Sequence, residues 1–492
     1  MGIEILFEDA EMVVRAQAGR PGQPMLLSFG HLERRPEEPA FWAATLAAAM
    51  GWPAIGFVAR RPNWFPAASV RAAAGLVRKR IAAARPENGI AIGYGYSMGG
   101  YAVLRHGRLL GLTHALAVSP QASIAPGEVP WEARFRPYYD PVLHDGMLVR
   151  PGDAPEVSWV LADAEHPEDA AHARLLEAVG ARTIHTPRMN HNPIQLLSDR
   201  IVTEATLSAV LAEDVTSLRR LLRGQRHGSA FWHAGMGATL LAHGRDAAGL
   251  ALLRRASEMG LKPIHLAEAL AEALRRQPGR TGAVLGGVAA LGSLTPRAWT
   301  DFCNQMASAD HRAEALAIAE AGTAALGPHA VLLVQLGHLL LAAGRVEEAR
   351  SALETAVAQE PGEGWAWVGL SLAHLRAGDA AGAEAAGREA ARLRPGDAHA
   401  WLRWAAALAE LGRFEEAEAA CTTALPLGGG EEARIGILRA RLETGRRAEA
   451  AEALREGMAA HPGSTALPRL ARAHEPLLGA RLWLSRLLGR SA

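Results

Sequence analysis

Short apolar runs alternate with longer helix-patterned stretches through the first 200 or so residues. The runs Met25 to Phe29, Ala54 to Ala59, Gly89 to Tyr94, His114 to Ser119, Val157 to Ala162 and Ala181 to His185 have strand length. Between them, Phe41 to Met50, Val70 to Ala84, Tyr101 to His106 and Ala170 to Val179 read as helices. Strands alternating with helices pair in parallel through right-handed crossovers, so a sheet covered on both faces follows. From about residue 230 the pattern is helical and repeats itself. Pro361 and Pro395 lie 34 residues apart, and Gly344, Gly378 and Gly412 keep that interval. So do Ala349, Ala383 and Ala417, Trp367 and Trp401, and the series Leu336, Leu370 and Trp404. The expected fold class is α/β followed by all-α: a mainly parallel sheet domain over 1–222, a linker over 223–229 and a helical solenoid over 230–480, with a tail at 481–492. The clearest repeats are 330–363, 364–397 and 398–431.

One turn in the first half carries chemistry. Gly95-Tyr96-Ser97-Met98-Gly99-Gly100 follows a buried-type strand and precedes a helix-like stretch, the context of a serine nucleophile elbow. Small residues two before and two after the serine are needed because a Cβ there collides with the neighbouring strand or helix. The turn lifts Ser97 clear of the sheet and puts the N–H of Met98 at a helix N-terminus, where it can donate to a developing oxyanion.

On these elements the first 200 or so residues resemble the α/β-hydrolase family. The resemblance implies a catalytic order of serine, acid, histidine. Asp163, at the tip of the strand Val157 to Ala162, is the expected acid, with Asp169 as the alternative; Asp163 also suits a helix N-cap. His191, in the polar loop Thr186 to Asn192, is the expected base. The family's second oxyanion amide would come from Gly30 or His31, after the strand Met25 to Phe29. Here Phe-Gly-His stands where many members have His-Gly, so both remain open. The segment Gln121 to Asp153 lies where a lid would be inserted, and its Trp131, Phe135, Tyr138 and Tyr139 are candidates to line an acyl or sugar site. His185 reads as a packed strand residue, and His166, Asp169 and His172 as a solvated helix start, since their spacing fits no zinc pattern. The function implied is a serine hydrolase of esterase or thioesterase type acting on a small-molecule or acylated substrate, with no cofactor and no metal.

The repeats resemble the tetratricopeptide (TPR) family, with Leu333, Leu336 and Gly337, Trp367 and Leu370, and Trp401 and Trp404 at its first-helix signature positions. Gly445, Ala450 and Pro462 carry a further unit one residue short of phase, as a deletion in the loop at Gly429 would explain. Trp299, Phe302, Asp310 and Ala315 fit an earlier unit, and Trp232 to Pro263 a looser one around Gly244. The resemblance implies a protein or peptide partner in the repeat groove. Trp367 and Trp401 are expected in the core, and Trp365, two residues off, on the groove. The other reading is an adaptor whose sheet domain is catalytically silent.

Composition changes little. Lys plus Arg number 52 against 51 Asp plus Glu, which gives no electrostatic case for nucleic acid or an anionic membrane. Lysine occurs only at Lys79 and Lys262, which with the alanine abundance points to a GC-rich bacterial genome. Cys303 and Cys421 fall in different repeats and read as core thiols. The acidic N-terminal segment and the lack of a long apolar run predict a cytoplasmic protein without membrane insertion.

Overall fold

The computed structural model describes residues 2–32, 40–84, 89–144, 146–292, 294–307 and 311–474. Asp310 and the expected tail 481–492 lie outside the described residues. The chain divides into two compact units, Met1–Ala269 and Leu270–Ala492.

The first unit is built on an eight-stranded sheet of order β1-β2-β4-β3-β5-β6-β7-β8. Its strands are β1 (Ile3–Glu8), β2 (Met12–Gln17), β3 (Met25–Phe29), β4 (Ala54–Ala59), β5 (Ala91–Tyr96), β6 (His114–Val118), β7 (Val157–Ala162) and β8 (Arg182–His185). Strands β3 to β8 pair in parallel, while β1 and β2 run antiparallel along one edge. That edge pair is absent from the expectation: Ile3–Glu8 is mostly exposed and carries no buried-strand signature, while Met12–Gln17 is buried but joins the sheet antiparallel, outside the alternation of strands and helices. The helices are α1 (Ala44–Met50), α2 (Ala67–Ala84), α3 (Met98–Leu110), α4 (Pro167–Glu177), α5 (Arg200–Leu211), α6 (Val215–Gln225), α7 (Ala230–Ala242), α8 (Asp246–Glu258) and α9 (Pro263–Arg276). The division between the units falls inside α9.

Side-chain alternation along the strands feeds two apolar layers. Leu27, Phe29, Ile55 and Phe57 pack with Val70, Val77, Tyr101 and Leu104 from α2 and α3. Leu26, Val58, Ile92, Leu116 and Leu161 pack with Ala47, Leu207, Val210, Leu218 and Leu222 from α1, α5 and α6. In register, Phe29 stands beside Gly95, Tyr96 beside Val118, and Ala162 beside His185. The C-terminal ends of β3, β5, β6 and β7 therefore open on one edge, the side on which parallel sheets hold ligands. His185 is exposed at the end of β8 and is not a core residue. The segment expected as a lid is anchored at both ends: Ala122, Ile124, Met147 and Val149 belong to the apolar core, while Trp131, Tyr138 and Val142 between them are exposed.

The second unit is a solenoid of paired antiparallel helices. Ala330–Ala342 pairs with Val346–Gln359, Gly364–Ala377 with Ala380–Leu393, Ala398–Glu410 with Phe414–Ala424, and Gly430–Glu443 with Arg447–Ala460. Gly344, Gly378, Gly412 and Gly445 each turn the chain with φ between 70° and 79°, a conformation that glycine adopts without a Cβ penalty. Where the closing proline is missing, residues Leu425–Gly429 wind irregularly, with Gly428 at φ 96°, and the slipped unit follows. Trp367 and Trp401 are partly buried, and each donates its indole N–H to the carbonyl of the preceding closing proline, Pro361 at 2.8 Å and Pro395 at 2.9 Å. Trp365 is exposed, with the Arg394 guanidinium 4.2 Å from its ring centre. Cys303 and Cys421 are buried free thiols, pushed up to about 12 by desolvation.

Two glycines in the first unit test the packing in opposite directions. A Cβ on Gly99 would overlap the Phe29 carbonyl, whereas one on Gly75 in α2 meets nothing. Gly99→Ala should destabilise the unit by roughly 1–3 kcal/mol, and Gly75→Ala should stabilise it by about 0.5–1 kcal/mol. Thermal unfolding of both variants measures the difference in sign.

Candidate functional site

Ser97 sits between β5 and α3 with φ 51° and ψ −117°, outside the regions a non-glycine residue ordinarily occupies; such strain costs about 1–3 kcal/mol. The surroundings hold it there. A Cβ on Gly95 would overlap the Gly99 carbonyl, so α3 closes directly onto β5. The Ser97 amide donates to the Val118 carbonyl (2.8 Å), and its own carbonyl accepts from the amide of Tyr101 (3.0 Å).

His191 faces this serine. Its Nε2 lies 3.0 Å from Ser97 Oγ, and its Nδ1 lies 2.8 Å and 3.0 Å from the two oxygens of Asp169. A carboxylate only accepts, so Nδ1 carries the proton and Nε2 is left to receive the serine hydroxyl hydrogen. Tyr96 donates its hydroxyl to the His191 carbonyl at 3.1 Å and fixes the loop.

The acid beside the imidazole is thus Asp169, the alternative, and not Asp163. Asp163 is 1 % exposed but faces backbone: its oxygens accept from the amides of Glu165 (2.9 Å) and Asn190 (2.8 Å). It holds up the left-handed turn at Asn190 (φ 49°) that precedes His191. Burial raises its carboxyl despite those hydrogen bonds. Nor does it cap α4, whose N-cap is His166.

Asp169 lies in the first turn of α4 and is 3 % exposed. Burial alone would raise it; the charge of His191 and hydrogen bonds from His166 and His191 outweigh that and hold it well below the usual carboxylate range. Arg134 Nη1 binds its Oδ1 at 2.9 Å, and the same guanidinium grips the buried Glu132 through Nε and Nη2. Glu132 in turn accepts from His172 Nε2 at 3.0 Å, while His172 Nδ1 accepts from the Ala122 amide at 3.1 Å, which fixes the neutral tautomer. Desolvation would raise Glu132, but His172 and Arg134 bring it down to about 2. The expected solvated helix start is therefore a buried charge network, because a segment 35 residues upstream supplies Arg134 as counter-ion. Among the described residues no group of three or more His, Cys, Asp or Glu side chains could hold a metal ion.

Of the oxyanion candidates, Gly30 is committed elsewhere: its N–H donates to the Phe57 carbonyl at 2.9 Å as β3 ends. His31 and Ser97 line one cavity, and Met98 opens α3 directly behind the serine.

That cavity has a volume of about 760 Å³. Trp42, Tyr96, Phe135 and Ile194 give it apolar wall from the sheet side, and residues 228–231 and 259–262, together with His265, close it from the helical side. Of the four aromatics expected to line a substrate site, Phe135 does. Trp131 packs against His172, Tyr138 against Trp64 and Tyr139 against His144, so these three are turned away from the cavity, and Trp131 and Tyr138 stay exposed. The residues that sequence reasoning missed are Arg134, Glu132, Gln121 and the helical wall with Phe231 and Lys262. Charge pairing over tens of residues leaves no periodic trace, and the wall lies beyond the expected linker. That linker is itself helical, the end of α6 followed by a 3-10 turn over Arg226–Gly228, and α7 beyond it packs on the sheet unit: Gly235 meets the Arg188 carbonyl so closely that a Cβ has no room.

Two family models, both tetratricopeptide repeat, match residues 334–398 and 374–442. The C-terminal region carries TPR repeats. Similar solved structures are a thermophilic TPR protein of Thermus thermophilus (24 % identical over 36 % of this chain and 98 % of that one, TM-score 0.32) and PilF of Pseudomonas aeruginosa (18 %, covering 50 % and 99 %, TM-score 0.33). A third is YrrB, a TPR protein with an unusual peptide-binding site (17 %, covering 39 % and 97 %, TM-score 0.32). No curated protein matches the chain. No helix among the described residues is long and apolar enough to cross a membrane.

The network makes a pH prediction. Glu132 and Asp169 both titrate lower in the folded chain, so their contribution to stability is complete above the unfolded values of about 4.5 and 3.8 and drains away as pH falls towards 2. Acid unfolding followed by fluorescence should steepen below pH 4.5, and Glu132→Gln should flatten that slope while lowering stability at pH 7, where Arg134 loses its carboxylate. A second prediction concerns the boundary. Fragment 1–269 should be soluble and folded, whereas 1–222, stripped of the helical wall, should bind a hydrophobic dye and unfold over a broad transition.

Proposed function

We propose that the first unit is a serine hydrolase of the α/β-hydrolase type that cleaves ester or thioester bonds of a small or acylated substrate. The observation that carries this reading is the unbroken hydrogen-bonded chain Ser97–His191–Asp169 at a strained strand-to-helix turn, opening on a cavity of about 760 Å³, a size suited to a small ligand. The parallel strands, the order serine, acid, histidine and the glycines around the elbow support it further. In this mechanism His191 Nε2 takes the Ser97 proton as Oγ attacks the carbonyl carbon. Asp169 holds the imidazole in the required tautomer, and the amides of Met98 and His31 receive the oxyanion. The tetrahedral intermediate collapses as its C–O or C–S bond breaks, and the leaving alcohol or thiol takes the proton from His191; water then attacks the acyl-enzyme with His191 again as base, releasing the acid and restoring Ser97.

The repeats are a protein-interaction module. We infer that they take an extended peptide, with the exposed Trp365 as one anchor. The second reading, an adaptor with a silent sheet domain, is favoured by a specific finding: the matching families cover only the repeats. The two readings differ at one atom, the Ser97 hydroxyl.

A fluorophosphonate probe, which needs an activated serine but no known substrate, decides between them. The wild type should label, and Ser97→Ala and His191→Ala should not. Asp169→Asn should cut turnover of a nitrophenyl ester by about 10⁴, while Asp163→Asn, which disturbs only the loop amides, should cost far less. An unlabelled wild type assigns the chain to the adaptor reading.

A further inference from the structure

Among the described residues two side chains hydrogen-bond with the Ser97 hydroxyl. One is His191; the other is Gln121, whose Nε2 lies 3.3 Å from Ser97 Oγ. Gln121 follows β6, is fully buried, and cannot turn its amide over. The indole N–H of Trp64 can only donate, so the Gln121 atom 3.0 Å from it is Oε1. The backbone carbonyl of Ser119 can only accept, so the atom 3.3 Å from it is Nε2. Both amide hydrogens are thereby assigned, one to Ser119 and one to Ser97. The serine oxygen accepts from Gln121 while its own hydrogen points at His191, which leaves a lone pair for attack.

We propose that Gln121 is a further catalytic residue of this site: a locked amide donor acting on the nucleophile oxygen itself, distinct from the backbone amides that receive the carbonyl oxygen. The proposal rests on the hydrolase reading. In acylation the hydroxyl proton passes to His191 Nε2, the Oγ–C bond forms and the carbonyl π pair moves onto oxygen; that pair then re-forms the C=O bond as the bond to the leaving alcohol or thiol breaks, and the leaving group takes the proton from His191. The N–H···Oγ contact strengthens as the serine proton leaves. In deacylation His191 takes a proton from water as the water oxygen bonds to the acyl carbon; the Oγ–C bond then breaks with its electron pair returning to Oγ, and His191 returns that proton to complete the hydroxyl. Gln121 stabilises the same oxygen as leaving group. A Gln121 that served only to bridge Trp64 and Ser119 would affect stability and leave the reactivity of Ser97 unchanged.

Fluorophosphonate reaction rates measured on the full chain from pH 5 to 9 separate the two. Gln121→Glu keeps the size and the acceptor for Trp64, but the ionised carboxylate only accepts and competes with His191 for the serine hydrogen. Protonated, the same carboxyl can donate; burial moves its titration upward into the measured range. Relative to wild type, Gln121→Glu should react about 100-fold slower near pH 9, with the gap closing to about threefold near pH 5. Gln121→Leu should be about tenfold slower at every pH, and Trp64→Phe, which unlocks the amide, slower by a few-fold. A Gln121→Glu deficit that is constant with pH, or a Gln121→Leu rate equal to wild type, overturns the donor role while leaving the hydrolase reading standing. A wild type that does not react removes both.

Discussion

The first unit is organised around one close approach, that of α3 onto the ends of β3 and β5. Gly95 and Gly99 let backbone carbonyls come within the space of a methyl group, and that contact forces Ser97 into its left-handed backbone. Every other part of the site is placed relative to it. The helix N-terminus lies behind the serine, the end of β6 delivers Gln121 on one side, and the loop after β8 delivers His191 on the other. Elbow strain of a few kcal/mol is tolerable only because the turn is held by core contacts on both faces of the sheet.

Burying charge beside such a turn carries a cost that the fold meets by pairing. Asp169, Arg134, Glu132 and His172 form a chain in which each charged group has a hydrogen-bonded partner. Removing any one member strands another in a dry environment. The network also joins the 121–153 segment to α4 through Glu132 and Arg134, so the segment expected as a lid helps to hold the acid in place. Asp163, just before that helix, acts mechanically by tying the loop after β7 to the turn that presents His191.

The cavity draws its walls from two kinds of structure. The sheet edge supplies Ser97 and Tyr96, and the helices that follow supply a wall with Phe231, Leu261 and Lys262. These first helices look like the start of the repeat array in sequence, yet they fold with the sheet as one unit. Farther on, the TPR repeats obey their own rule, each turn glycine and each tryptophan-to-proline hydrogen bond serving only its neighbour.

Local rules made much of this legible in the residues alone. The 34-residue spacing, the turn glycines at 344, 378 and 412, and the glycines flanking Ser97 all reflect backbone sterics within a few residues or one repeat, and such constraints leave a fixed spacing behind. The parallel strands were readable because a strand buried on both faces is an apolar run. What tertiary structure alone decided were the contacts between distant segments. Asp163 and Asp169 are both acids after one strand, and only the counter-ion Arg134 and the path of the 186–192 loop select which carboxylate meets His191. Gly30 was set aside by a single ladder hydrogen bond to Phe57, and three of the four aromatics by their contacts with His172, Trp64 and His144. Gln121 acquires its donor role from Trp64, 57 residues away, and the direction of an amide is written in no local pattern.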